Sequence, residues 1–290
     1  MCTLCPRACG VNRVNREVGA CHSHAEPLVA HSMLHKWEEP CLSGTNGSGT
    51  VFFSGCSLGC LYCQNQKISR GSVGKAHTVQ ELASLFLSLE GQGAHNVNLV
   101  TATHFVPHII DSVRLAREGG MSVPVVYNTS GYESVATLRS LFDTVDVYLT
   151  DFRYVRSETA RAYSFAPDYP TAADAALEEM VKQHPSPVFD NAGLMRAGVI
   201  VRVLLLPGHL IEAKMIVKRV FERYGSNVYI SLMSQYTPVI KNDKYPELNR
   251  RVSKTEYLSL TEYAAALGVK NAYTQEREAA SESFIPFFEI

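Results

Sequence analysis

All eight cysteines of this 290-residue chain lie in its first 63 residues, and the remaining 227 contain none. Disulfides that stapled a domain would be spread through the chain they close, so clustered thiols read as metal ligands. The N-terminus, Met1-Cys2-Thr3-Leu4-Cys5-Pro6-Arg7, lacks the apolar stretch of a secretory signal. No run reaches the roughly 18–20 apolar residues that span a bilayer. The expectation is a cytoplasmic protein with no membrane partner, in a compartment whose reducing poise disfavours disulfides. Hydrophobic residues make up 46% and charged residues 19%, enough for a sizeable core. A formal net charge of -1 argues against a dedicated grip on nucleic acid, which needs a surplus of Lys and Arg.

The first forty-odd residues show no sustained period and read as a metal-stapled segment, 1–48, ahead of a larger domain, 49–290. From residue 50 onward, six strand-like runs (50–54, 96–101, 123–127, 145–150, 199–206 and 228–232) alternate with helical patterns. Several runs are continuously apolar, as in parallel strands buried on both faces. Two capping boxes, Thr78-Val79-Gln80-Glu81 and Ser253-Lys254-Thr255-Glu256, open helices, and Pro107 suits the first turn of another. This alternation predicts an α/β fold with a parallel sheet, either an incomplete barrel of six units or a doubly wound open sheet. Both forms place chemistry at the carboxyl ends of the strands.

Gly55-Cys56-Ser57-Leu58-Gly59-Cys60-Leu61-Tyr62-Cys63 follows the first of these strands directly. Three thiolates from one loop can hold three corners of a four-iron cubane and leave the fourth iron open to a small molecule. Gly55 and Gly59 fit a backbone that turns tightly around a bulky core. The competing reading is zinc with a distant fourth ligand, or buried thiols.

This CxxxCxxC triad, with Tyr62 before its last cysteine, resembles that of the radical S-adenosylmethionine (radical SAM) superfamily. Over nearly its full length the chain is similar to the pyruvate formate-lyase activating enzyme-related branch. Cys5-Pro6-Arg7-Ala8-Cys9, Trp37-Glu38-Glu39-Pro40 and Ala280-Ser281-Glu282-Ser283-Phe284 carry that similarity. The resemblance implies a partial (β/α)6 barrel with a Cys-rich N-terminal extension. It implies a [4Fe-4S] cluster on Cys56, Cys60 and Cys63, and S-adenosylmethionine chelated to the open iron. The implied activity is an oxidoreductase one, in which an electron from flavodoxin or ferredoxin yields a 5′-deoxyadenosyl radical that abstracts hydrogen. Its substrate would be a glycyl-radical enzyme, as in activating enzymes, or another protein, a peptide or a small molecule. The alternative from a different class is a non-catalytic zinc or iron–sulfur binding module.

The resemblance also carries over individual contacts to S-adenosylmethionine. Tyr62 flanks the cluster. Asn128, Thr129 and Ser130 match the polar end of a strand beside the cofactor, with Asn128 where relatives carry Asp. Asp151 and Arg153 match an Asp-x-Lys strand end, and Arg202, charged within an apolar strand, matches an Arg that meets the cofactor carboxylate. Relatives carry Gly-Gly-Glu where this chain has Thr101-Ala102-Thr103-His104, so Thr103 and His104 stand in for it. By ordinary chemistry each of these residues also fits a turn, a cap or an internal ion pair.

Cys2, Cys5, Cys9 and Cys21 have ligand-like spacing and suffice for a closed site, zinc or a second iron–sulfur cluster. His22, His24, His31 and His35 are possible substitutes for one ligand. Cys41 reads as an inert buried thiol, a further ligand or a radical participant. Trp37 reads as packing the N-terminal segment on the barrel. Glu38 and Glu39, and Gln235, Tyr236, Gln275 and Glu276, are further candidates for the mouth of the site.

Overall fold

The computed structural model describes residues 1–71 and 73–275; Glu276 and the Ala280–Phe284 motif lie outside the described residues. Ten strands form one sheet system: β1 (Leu28–His35), β2 (Ser48–Phe53), β3 (Lys75–Ala76), β4 (Val97–Val100), β5 (Val125–Thr129), β6 (Val147–Asp151), β7 (Val188–Phe189), β8 (Met195–Leu204), β9 (Tyr229–Met233) and β10 (Ala272–Thr274). Among the described residues, nine α-helices accompany them: α1 (Pro40–Ser43), α2 (Gln66–Ser69), α3 (Val79–Gly91), α4 (Val106–Glu118), α5 (Val135–Ser140), α6 (Ser157–Ser164), α7 (Tyr169–Gln183), α8 (Leu210–Tyr224) and α9 (Lys254–Leu267). The six strands read from the sequence are β2, β4, β5, β6, β8 and β9. β10 adds a seventh parallel strand.

The parallel strands run β2-β4-β5-β6-β8-β9-β10, in sequence order across the sheet. β1 pairs antiparallel with β2, from Val29 opposite Phe53 to His35 opposite Ser48, and β3 extends that edge. The last part of the 1–48 segment is therefore woven into the sheet. Its sequence reads as irregular because most of β1 is only half-buried, so Leu28–His35 carries no clean alternation.

The helices form where the local signals point. Thr78 and Glu81 cap α3 reciprocally, Ser253 and Glu256 do the same for α9, and Gly268 ends α9 in the left-handed region. α3 through α9 contribute to one apolar cluster with Val51, Phe53, Val97, Leu99, Val125, Tyr127, Tyr148, Val199, Val201, Val203, Ile230 and Leu232. Each such side chain, once buried, contributes about 1.5–3 kcal/mol. The alternating residues point to the other face. There α1 sits against the sheet, with Cys41 and Leu42 packed on Val126, Val147, Leu149, Met195 and Ile200. A doubly wound sheet divides its helices between both faces and reverses strand order at a switch point. Here all the helices of six residues or more share one face and the order never reverses.

Candidate radical SAM site

The loop after β2 is shaped by crowding. Gly55 has φ +87, and a Cβ there would lie 2.1 Å from Ser23 Oγ and 2.5 Å from the Cys21 carbonyl oxygen. Gly59 is under no such pressure: its nearest neighbour would be 3.5 Å away. Cys56 and Cys63 are partly exposed and Cys60 is buried. Ser164 Oγ donates to Cys60 Sγ at 2.9 Å, and Arg153 Nη1 reaches the same sulfur at 3.4 Å. Burial pushes the Cys56 thiol up to about 12, with the neighbouring Cys60 and Cys63 adding to the rise. In this setting a thiolate needs a positive partner, and iron is one.

Among the described residues no three His, Cys, Asp or Glu side chains are drawn together as the shell of a single metal ion. A cubane is wider than one ion, and the three thiols of one loop, with Ser164 and Arg153 donating to Cys60, fit it. Cys56, Cys60 and Cys63 would hold such a cluster, and Ser164 and Arg153 would tune it through Cys60.

Tyr62 belongs to a buried relay. Its hydroxyl meets Tyr154 Oη at 2.6 Å, Tyr154 meets Ser164 Oγ at 2.7 Å, and Ser164 leads to Cys60. The Tyr62 ring also stands edge-on to Tyr163 and Tyr236.

A second group lies on the sheet face opposite the helices. Asp151 Oδ1 accepts from Arg202 Nε at 2.8 Å, and Oδ2 accepts from Arg153 Nη2 at 2.5 Å. Arg202 also donates to Asn128 Oδ1 at 2.6 Å and faces Glu38 Oε2 at 3.5 Å. Asn98 and Asn128 both donate to Glu38 Oε1, at 3.1 and 3.3 Å. Burial alone would raise Asp151, but Arg202 and Arg153 more than offset it and hold its carboxyl below the usual range. Burial pushes Glu39 up to about 7, against the pull of Arg202. Glu39 Oε2 and Asn98 Oδ1 are buried without a hydrogen-bond partner. Trp37-Glu38-Glu39-Pro40 therefore delivers two carboxylates to Arg202, while Trp37 itself is 63% exposed.

Asn128, Asp151 and Arg202 are brought together and bond one another, while Thr103 and Thr129 form another group. Both of their hydroxyls donate to Glu133, Thr103 at 2.6 Å, and Tyr127 joins them. Burial pushes Glu133 up to about 7. Ser130 presents its carbonyl to Tyr169 Oη at 2.7 Å. His104 is buried and donates from Nε2 to the Ser54 carbonyl at 2.7 Å; burial drives it down to about 3, so it is neutral. Gln235 and Gln275 bond each other at 3.0 Å, and Tyr236 donates to the Leu248 carbonyl. Cys41 is buried in the apolar cluster under α1, and burial pushes it up to about 11.

Sequence reasoning missed Arg7, Arg13, Ser164, Tyr154 and Glu133. Arg7 donates to the carbonyls of Ser57, Phe165 and Ser164, at 3.0, 2.6 and 3.2 Å, and lies over the Tyr132 ring. Arg13, buried, donates to the carbonyls of Ser23, His24 and His104. Only the Cys5-Pro6-Arg7-Ala8-Cys9 motif hinted at any of them.

Comparison with known proteins agrees with this geometry. Residues 43–167, which include the triad, match the family described as a 4Fe-4S single cluster domain. The chain is 28% identical over 273 residues to an uncharacterised protein of Methanocaldococcus jannaschii, covering 91% of this chain and 74% of that one. It superposes on a radical SAM methyltransferase from Sphaerobacter thermophilus with a TM-score of 0.54 at 15% identity, over 79% of this chain and 66% of the other. The fold is that of radical SAM enzymes. A second solved structure, SuiB of Streptococcus suis bound to precursor peptide SuiA, matches with a TM-score of 0.50 at 10% identity, over 76% of this chain and 46% of SuiB. The chain thus spans just under two thirds of the methyltransferase and under half of SuiB. A [4Fe-4S] cluster and S-adenosylmethionine are the cofactors expected of radical SAM homologues. Among the described residues no helix is long and apolar enough to cross a membrane.

Proposed function

We propose that the chain is a radical SAM enzyme that cleaves S-adenosylmethionine reductively to abstract hydrogen from a protein or peptide. The observation that carries this reading is the Cys56–Cys63 loop at the carboxyl end of β2, with Ser164 and Arg153 donating to the Cys60 sulfur. The cluster, when bound, supplies the electron that breaks the sulfonium bond and releases methionine and a 5′-deoxyadenosyl radical.

The protein's own residues position and shield. Asp151, Asn128 and Arg202 form a polar floor on the sheet face opposite the helices, where Arg202 is the cation suited to a carboxylate. Tyr62, Tyr154 and Tyr163 keep water from the cluster side of the loop. Helices on one face and an unreversed strand order support a partial (β/α)6 barrel with a Cys-rich extension over 1–48 as the form of this site.

The resemblance of the whole chain to the pyruvate formate-lyase activating enzyme-related group favours a glycyl-radical enzyme as substrate, with flavodoxin or ferredoxin as donor; Cys5–Cys9 and Trp37–Pro40 mark a branch and not a substrate. The shared fold with peptide-bound SuiB supports the second reading, a peptide substrate. The deciding experiment is anaerobic reconstitution with iron and sulfide, then dithionite and S-adenosylmethionine. 5′-Deoxyadenosine is expected from the native chain and none from Cys60→Ala; turnover in that variant would overturn the assignment. Deuterium passing from a glycine of a candidate glycyl-radical enzyme into 5′-deoxyadenosine separates the two substrates.

A further inference from the structure

Residues 1–27 have almost no regular structure: the only helical element there is one turn at Arg13–Asn15. They also bury little apolar surface of their own; Cys5 and Cys21 are their buried hydrophobic residues. A segment this poor in core holds one conformation only with a staple.

The fold places four thiols in this one short segment, with Cys9 and Cys21 on either side of Gly19, short of a single closed shell. Cys2 N–H donates to the Val11 carbonyl and Gly10 N–H to the Cys2 carbonyl, both at 3.0 Å, which lays Cys2 alongside Cys9. Ala8, with φ 39, turns the chain back between Cys5 and Cys9. Gly19 lies where the returning strand passes: a Cβ there would be 2.9 Å from Cys9 Sγ and 3.8 Å from Cys21 Sγ.

This segment is also the surface on which the cluster loop rests. The Cys21 carbonyl accepts the Cys56 N–H at 3.1 Å, Ser23 Oγ bonds the Ser54 carbonyl at 3.3 Å, and Arg7 holds the Ser57 carbonyl.

We propose that Cys2, Cys5, Cys9 and Cys21 form a second metal centre, a four-thiolate site for zinc or an iron–sulfur cluster, that orders the backbone supporting the Cys56 loop. Metal binding would draw the four sulfurs the rest of the way into one shell. The site does not depend on the reaction proposed above, because its metal can be counted without radical chemistry.

The test is the metal and acid-labile sulfide content of the full chain prepared anaerobically, alongside Cys5→Ser/Cys9→Ser, Cys9→Ser alone and Cys56→Ala/Cys60→Ala/Cys63→Ala. The exposed Cys9 makes the single variant the control for misfolding. The expected result is that both N-terminal variants lose one centre: one zinc, or the iron and sulfide of one cluster. The triad cluster remains, and the Cys56 amide exchanges faster with solvent. The triad variant keeps the N-terminal metal. An unchanged metal-to-protein ratio in the N-terminal variants, or loss of all metal with the triad, overturns the proposal.

Discussion

Asp151 and Arg202 lie in register on neighbouring strands, β6 and β8, and meet at 2.8 Å with both side chains only 15% exposed. The second Asp151 oxygen holds Arg153, which in turn reaches Cys60. One carboxylate thus ties the polar floor of the sheet to the cluster loop. Asp151→Asn leaves two largely buried guanidinium groups short of a counter-charge. The expected loss is about 3–5 kcal/mol, read as a lower melting temperature of the metal-free chain. Combining it with Arg202→Met should restore part of that loss; a double variant no better than the single one would show that Arg202 is satisfied by Glu38 instead.

Ser164 is the closest hydroxyl donor to Cys60. A hydrogen bond to a ligating sulfur stabilises the reduced, more negative cluster. Ser164→Ala should therefore move the reduction potential downward, on the order of tens of millivolts, in an EPR-monitored titration. An unmoved or higher potential would show that Cys60 does not bind the cluster in this geometry.

Two buried groups give stability opposite slopes with pH. Glu133 is raised to about 7, so the folded state holds a proton that the unfolded chain releases above its ordinary carboxylate value. Its contribution is present below about pH 4.5 and is lost as pH rises towards 7, amounting to about 3 kcal/mol. His104 is lowered to about 3, so its neutral burial contributes above pH 6.5 and is lost as pH falls towards 3. The two slopes oppose each other where they overlap, so Glu133→Gln should turn the change of melting temperature with pH upward between pH 5 and 6.5 relative to the native chain. A Glu133→Gln profile with the native slope over that range would place the effect elsewhere.

Gly55→Ala puts a methyl group against Ser23 Oγ and the Cys21 carbonyl at a backbone angle that L residues rarely adopt. Both the N-terminal segment and the Cys56 loop must shift to admit it. Less iron retained per chain after reconstitution is expected, with little change in helical content by circular dichroism. Full iron loading would mean that the loop tolerates being lifted from Cys21.

Much of the architecture was legible in the residues themselves. The apolar runs at β4, β5, β6 and β8, the two capping boxes and the glycine ending α9 are near-neighbour signals, carried by side-chain alternation and by bonds within one turn. β1 escaped because a strand paired at one edge with half-buried residues leaves no strong period. α6 escaped because only Ala160, Tyr163 and Ser164 of its eight residues are buried. At the site, the spacing of Cys56, Cys60 and Cys63 was plain, and so was the oddity of a charged Arg202 within an apolar strand.

What surrounds those residues was decided elsewhere in the chain. Ser164 reaches Cys60 across 104 positions, and Arg7 reaches Phe165 across 158. Thr103, in the turn after β4, and Thr129, at the end of β5, meet at one Glu133, and α1 packs Cys41 against the sheet. A sequence states its periods and its local caps because those depend on residues a few places apart. It has no local mark for a side chain whose partner arrives only when distant strands have been laid side by side, and here those partners set the charge, burial and hydrogen bonding of the site.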